Sequence, residues 1–169
     1  MKKETKKQLL IGATLVLELL FLLLYLNGRI DRLLDSDMSS EMILGQLLAR
    51  NNGILSDQWY YSTELRVLNT QLIYALFFRL SSNWHFVRMA STLVLWCVLI
   101  ASYGVLCCVM GCKKSFGVTA LLLAAPVSES YFRFVLAGVY YVPHLAIAFA
   151  ALALNEAYFK AKPDRKKFW

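Results

Sequence analysis

The sequence predicts an all-α polytopic membrane protein with four transmembrane helices and two short interfacial helices in the first external loop. Three observations carry this. Apolar residues fill 59% of the 169 positions and aromatics 14%, with a mean hydropathy of +0.52, a composition unlike that of a soluble domain. Long apolar runs alternate with short polar ones. All ten lysines fall in three clusters, at positions 2–7, 113–114 and 160–167, each at the end of an apolar run. Basic flanks of this kind resist translocation, favour anionic lipid and mark the cytoplasmic side. The net charge of +7 is thus explained by membrane anchors, and no nucleic-acid partner is expected.

The first crossing is Leu9 to Leu26, about 27 Å of helix at 1.5 Å per residue. It exceeds the apolar region of a signal peptide, and no small-residue cleavage site follows, so it remains as an anchor. Glu18 in its middle is costly in lipid and should face a protein or water-filled interior, either as glue to a neighbouring helix or as a cavity lining.

An external loop, 27–85, follows. It holds six of the eleven acidic residues. A short helix is expected from Met38 to Arg50, with Met42, Ile43, Leu47 and Leu48 on one face, Asp37 as its N-cap and Asn51-Asn52-Gly53 as its stop. A second, capped by Ser62 or Thr63, should run to about Leu80. It is amphipathic and interrupted by Arg79, which places it in the outer interface.

The second crossing is 86–110, with Trp84 and His85 at the outer interface and Arg88 close enough to snorkel there. In the third segment the clean apolar run, Phe116 to Val127, is too short to span. The positive-inside pattern extends this crossing over 115–137, through a kink at Pro126 and an i,i+4 pair of Glu129 and Arg133. Gly138 to Tyr141 turns the chain, and Pro143 opens the fourth crossing, 142–158. Residues 1–169 then form one membrane domain with both termini cytoplasmic. Cys97, Cys107, Cys108 and Cys112 all lie in or at the end of one apolar segment, which indicates packing rather than disulfides.

Folded this way, the polar residues without a packing role share one level. They are Asp35, Asp37, Glu41 and Glu64 from the first loop, Arg88 from the second crossing, Glu129 and Arg133 from the third, and His144 from the fourth. Arginine forks suit phosphate oxygens, and a carboxylate can deprotonate a hydroxyl or hold Mg or Mn. Each residue also has a structural reading: Asp37 as a cap, Glu129 with Arg133 as an ion pair, His144 as a helix-start residue beside Pro143.

The order of these features resembles the GT-C superfamily of integral-membrane glycosyltransferases. Asp35-Ser36-Asp37 looks like the acidic motif of its first external loop. Leu68-Asn69-Thr70-Gln71-Leu72-Ile73-Tyr74 stands where many members carry a His-Pro-Pro-Leu-Tyr-Tyr-like run, although the His-Pro-Pro element is missing. Ser82-Asn83-Trp84-His85-Phe86-Val87-Arg88 resembles the Gly-x-Ser-x-x-x-x-Arg stretch that opens the next crossing. The resemblance implies transfer of a sugar from a polyprenyl-phosphate donor to an acceptor at the outer face of a bacterial plasma membrane. It implies that the chain is the N-terminal part of a longer enzyme. Asp37 and Asp35 become the catalytic candidates and candidate ligands of a divalent cation. Arg88, Arg133, Glu64, Glu129 and His144 become substrate-binding candidates. The competing expectations are a non-catalytic four-helix scaffold or subunit, a truncated inactive transferase copy, and a transporter subunit using Glu18, Glu129 and Arg133.

Overall fold

The computed structural model describes residues 2–61 and 69–161, with side chains from residue 5 onward. Glu64, and the Ser62 or Thr63 cap expected for the second loop helix, lie outside the described residues. Those residues form helices and no strand: α1 (Lys2–Asn27), α2 (Ser36–Asn51), α3 (Thr70–Phe78), α4 (Trp84–Met110), α5 (Lys113–Ala124), α6 (Glu129–Ala137) and α7 (Val142–Ala161). Three are long and apolar enough to cross a membrane, namely 5–27 within α1, α4 and α7. The number is four if α5 and α6, bent by 90° at their break, make one span. Leu17, Phe21 and Leu24 of α1 and Ile147 and Leu154 of α7 are exposed, an apolar surface suited to lipid rather than water.

Contacts at the helix ends fix the arrangement. His85, at the start of α4, reaches Asp31 and Asn27, each at 3.1 Å, just beyond the end of α1. At the opposite end Lys160 of α7 donates to the Val109 carbonyl of α4. Gly117 of α5 lies against Ile11 near the start of α1, where an added Cβ would sit 2.7 Å from the isoleucine. Phe132 of α6 meets Tyr25 near the end of α1 edge-on, with ring centroids 5.8 Å apart. The α5–α6 pair therefore begins beside the first half of α1 and finishes beside its last turns.

The core lies between these elements. Leu22 and Leu26 of α1, Ile30 beyond it, Leu95, Trp96 and Leu99 of α4, Leu136, Val139 and Val142 make one buried cluster. Trp96 Nε1 donates to the Leu136 carbonyl at 2.9 Å, which satisfies the indole as burial requires.

Local chemistry explains the breaks. The third segment is not a continuous kinked helix. Proline disfavours helical backbone in the residue before it, and Ala125 is extended, with φ −74° and ψ 135°. The chain restarts at Ser128, whose Oγ accepts the Tyr131 N–H at 3.1 Å as an N-cap. From Phe132 to Ala137 the helix is wound as a π-helix, ending in a bond from Gly138 N–H to the Arg133 carbonyl at 2.8 Å. Such widened turns are uncommon and frequently sit at functional sites.

In the loop, the N-cap of α2 is Asp35, not Asp37. Asp35 has the extended backbone that a cap needs, φ −101° and ψ −178°, and its Oδ1 accepts the Met38 N–H at 2.9 Å. Asp37 falls in the first helical turn, where the dipole favours an acid. Asn52 ends α2 in the left-handed conformation, with φ 50°, and its N–H bonds the Leu48 carbonyl. α3 is capped by Asn69 and crosses α2 closely at Gly45, where a Cβ would lie 2.7 Å from the Tyr74 Cβ.

Candidate functional site

Above the ends of α1, α4 and α7, a cavity of about 240 Å³ is lined by Asp37, Glu41, Asn69, Phe134, Tyr140, Tyr141 and His144. One side carries acceptors from the first loop. The other is aromatic and comes from α6, the turn 138–141 and the start of α7. Phe134 lies tilted against Tyr140 and edge-on to Tyr141, with ring centroids 6.2 Å apart in each case, and Tyr141 stands 6.4 Å from the His144 ring. Asp37 and His144, more than a hundred residues apart, are both exposed side chains at this cavity.

Asp35 sits behind it. Its Oδ1 accepts the Tyr140 hydroxyl as well as the Met38 N–H. Burial and the Asp35 carboxylate hold the Tyr140 hydroxyl well above the ordinary tyrosine range, so it remains the donor. Glu41 is buried, and its carboxylate takes hydrogen bonds from Asn69 Nδ2 at 3.2 Å and from the Thr70 hydroxyl. Tyr74, fully buried nearby, is also held above its usual range, first by burial and then by the Glu41 charge.

Arg88 has a different place from the expected snorkel at the interface. It is 2% exposed, and its guanidinium donates to the carbonyls of Ile30 at 2.8 Å and Leu33 at 3.5 Å and touches the Met38 sulfur. A guanidinium so engaged supports the turn beneath Asp35. Arg133 and Glu129 are exposed on α6, 3.9 Å apart, and neither lines the cavity.

The expected cation site can be tested on these oxygens. Among the described residues no three His, Cys, Asp or Glu side chains gather as metal ligands. One oxygen of Asp35 already accepts two hydrogen bonds, and both Glu41 oxygens are engaged. Mg or Mn takes close to six oxygens but is commonly held by one or two carboxylates with waters and substrate phosphates, so the Asp37 carboxylate, which lines the cavity, is the oxygen donor of the motif placed to hold one.

Glu41, Asn69, Phe134, Tyr140 and Tyr141 were not singled out as site residues by the sequence, although Glu41 stood among the acidic loop residues. Asn69 stood in the motif-like run 68–74, and the turn 138–141 carried a signal of its own, two adjacent tyrosines two residues ahead of Pro143. Comparison with known protein families, with curated proteins and with solved structures finds no match to this chain.

Proposed function

We propose that the chain is the N-terminal part of a GT-C-type membrane glycosyltransferase, which moves a sugar from a polyprenyl-phosphate donor to an acceptor hydroxyl at the outer face of the membrane. One observation carries the reading: Asp37 of the acidic motif and His144 line the same cavity. In this reading Asp37 is the base. It takes the acceptor's hydroxyl proton as the oxygen bonds to the anomeric carbon, and the bond from that carbon to the phosphate breaks with its electron pair leaving on the phosphate. Phe134, Tyr140 and Tyr141 offer apolar faces to a sugar ring. Arg133 is the cation proposed to meet the phosphate, since Arg88 is engaged with backbone carbonyls.

Four crossings with cytoplasmic termini accompany this reading. In support, α5 starts beside the first half of α1 and α6 ends near its last turns, and the lysines of α5 and α7 lie at the end opposite the cavity. The test is transfer from a radiolabelled polyprenyl-phosphate hexose in phosphatidylglycerol vesicles. Asp37→Asn should lower turnover at least ~100-fold with expression preserved, and undiminished turnover removes Asp37 from the chemistry.

A second reading, a non-catalytic membrane scaffold or subunit, is favoured by the mutual satisfaction of Glu41 with Asn69 and Thr70 and of Asp35 with Tyr140. It expects Asp37→Ala to be silent and a protein partner to co-purify.

A further inference from the structure

We propose that Asp35 is a positioning residue: a joint through which Tyr140 fixes the first turn of α2 and so aims Asp37 into the cavity. Its bearing on transfer rests on the reading above. The joint itself is geometric. A single oxygen, Asp35 Oδ1, accepts both the Met38 N–H of α2 and the Tyr140 hydroxyl, from a residue 105 positions away. The Asp35 backbone carbonyl also takes the Ser39 hydroxyl at 2.7 Å.

Both partners of the joint are themselves held. Tyr140 follows Val139, which is fully buried with φ 55°. A β-branched residue adopts that left-handed backbone only where its surroundings determine it. Gly138 precedes it at a point where an added Cβ would lie 2.5 Å from the Arg133 carbonyl and 2.7 Å from the Tyr140 ring. On the other side Arg88 grips the Leu33 carbonyl and the Met38 sulfur, one before and one after the acidic motif. Asp35 thus has its acceptor oxygen committed to the fold, whereas Asp37, two residues on, lines the cavity. The two acids of the motif divide the work, one holding and one reacting.

Asparagine separates the two roles, because its side-chain oxygen can accept both hydrogen bonds without carrying a charge. The full chain in phosphatidylglycerol nanodiscs is compared with Asp35→Asn, Asp35→Ala and Tyr140→Phe by amide exchange over residues 36–41. Asp35→Asn should exchange within about twofold of wild type, and Asp35→Ala and Tyr140→Phe roughly tenfold faster. In the hexose-transfer assay Asp35→Asn should keep wild-type kcat, while Tyr140→Phe lowers kcat with little change in KM. The proposal is overturned if Tyr140→Phe leaves exchange over 36–41 unchanged. It is equally overturned if Asp35→Asn loses transfer while its exchange stays wild-type, since Asp35 would then act through its charge. Transfer absent from the wild-type chain would sink the transferase reading alone, and the exchange comparison would still decide the joint.

Discussion

Arg88 Nη1 donates to the Ile30 carbonyl at 2.8 Å from a side chain that is 2% exposed. The last carbonyls of a helix and of the turn beyond it lack partners of their own, and in a membrane protein water cannot be relied on to supply them. One guanidinium serves two of them. Arg88→Gln should therefore lower stability by about 2–4 kcal/mol, the cost of unpairing buried carbonyls, as measured by thermal unfolding in detergent. A variant that melts like wild type yet fails to bind donor lipid would return Arg88 to the phosphate-binding role.

Gly45 is where α2 and α3 come closest. A Cβ there meets the Tyr74 Cβ at 2.7 Å and the Gln71 carbonyl oxygen at 3.1 Å, and neither can swing aside as a flexible side-chain end would. Gly45→Ala is expected to cost about 1–3 kcal/mol through overpacking, despite the gain in helix propensity. The same melts check this, and an unchanged or raised midpoint would show that the two helices part freely.

The sequence carried most of the fold, and the reason is periodic apolar patterning. α4 and α7 begin within two residues of the expected crossings, and the Asn51-Asn52-Gly53 stop places the end of α2. It carried less of the third segment, since the effect of Pro126 on Ala125 is local while the 90° bend depends on how α6 packs against Trp96 and Tyr25. At the site the loop acids were legible because carboxylates beside apolar runs stand out. Tyr140 and the burial of Glu41 were not, because the partners Asp35, Asn69 and Thr70 lie tens of residues away or more. Arg88 was misplaced for the same reason: nothing local announces that the carbonyls of Ile30 and Leu33 need a donor.

Topology is open to direct measurement. Cys97, Cys107, Cys108 and Cys112 are free thiols, so a cysteine-free background is made first. In intact cells a membrane-impermeant maleimide should label Ser40→Cys, in the first loop, without permeabilisation. Lys114→Cys should label only after it, as four crossings with cytoplasmic termini require. Labelling of both positions from outside would show that the two ends of α4 do not lie on opposite faces.

Alkaline pH should weaken the fold through two tyrosines. Tyr74 and Tyr140 have hydroxyls held above the ordinary value of 10.0, each chiefly by burial. Below about pH 10 both are protonated in the folded and unfolded chain, so they add no pH dependence. Above it the unfolded chain gives up these protons first and binds fewer than the folded chain, so stability falls as pH rises. For fully buried Tyr74 the slope is at most about 1.4 kcal/mol per pH unit. Tyr140 is more open to solvent, and screening makes its share smaller. Lysine titration is common to all variants, so the difference between wild type and Tyr74→Phe isolates the tyrosine. Unfolding midpoints from pH ~8 to ~11 should fall more steeply for wild type than for the Phe variant. Parallel curves would mean that the Tyr74 hydroxyl ionises as readily in the folded chain as in the unfolded one.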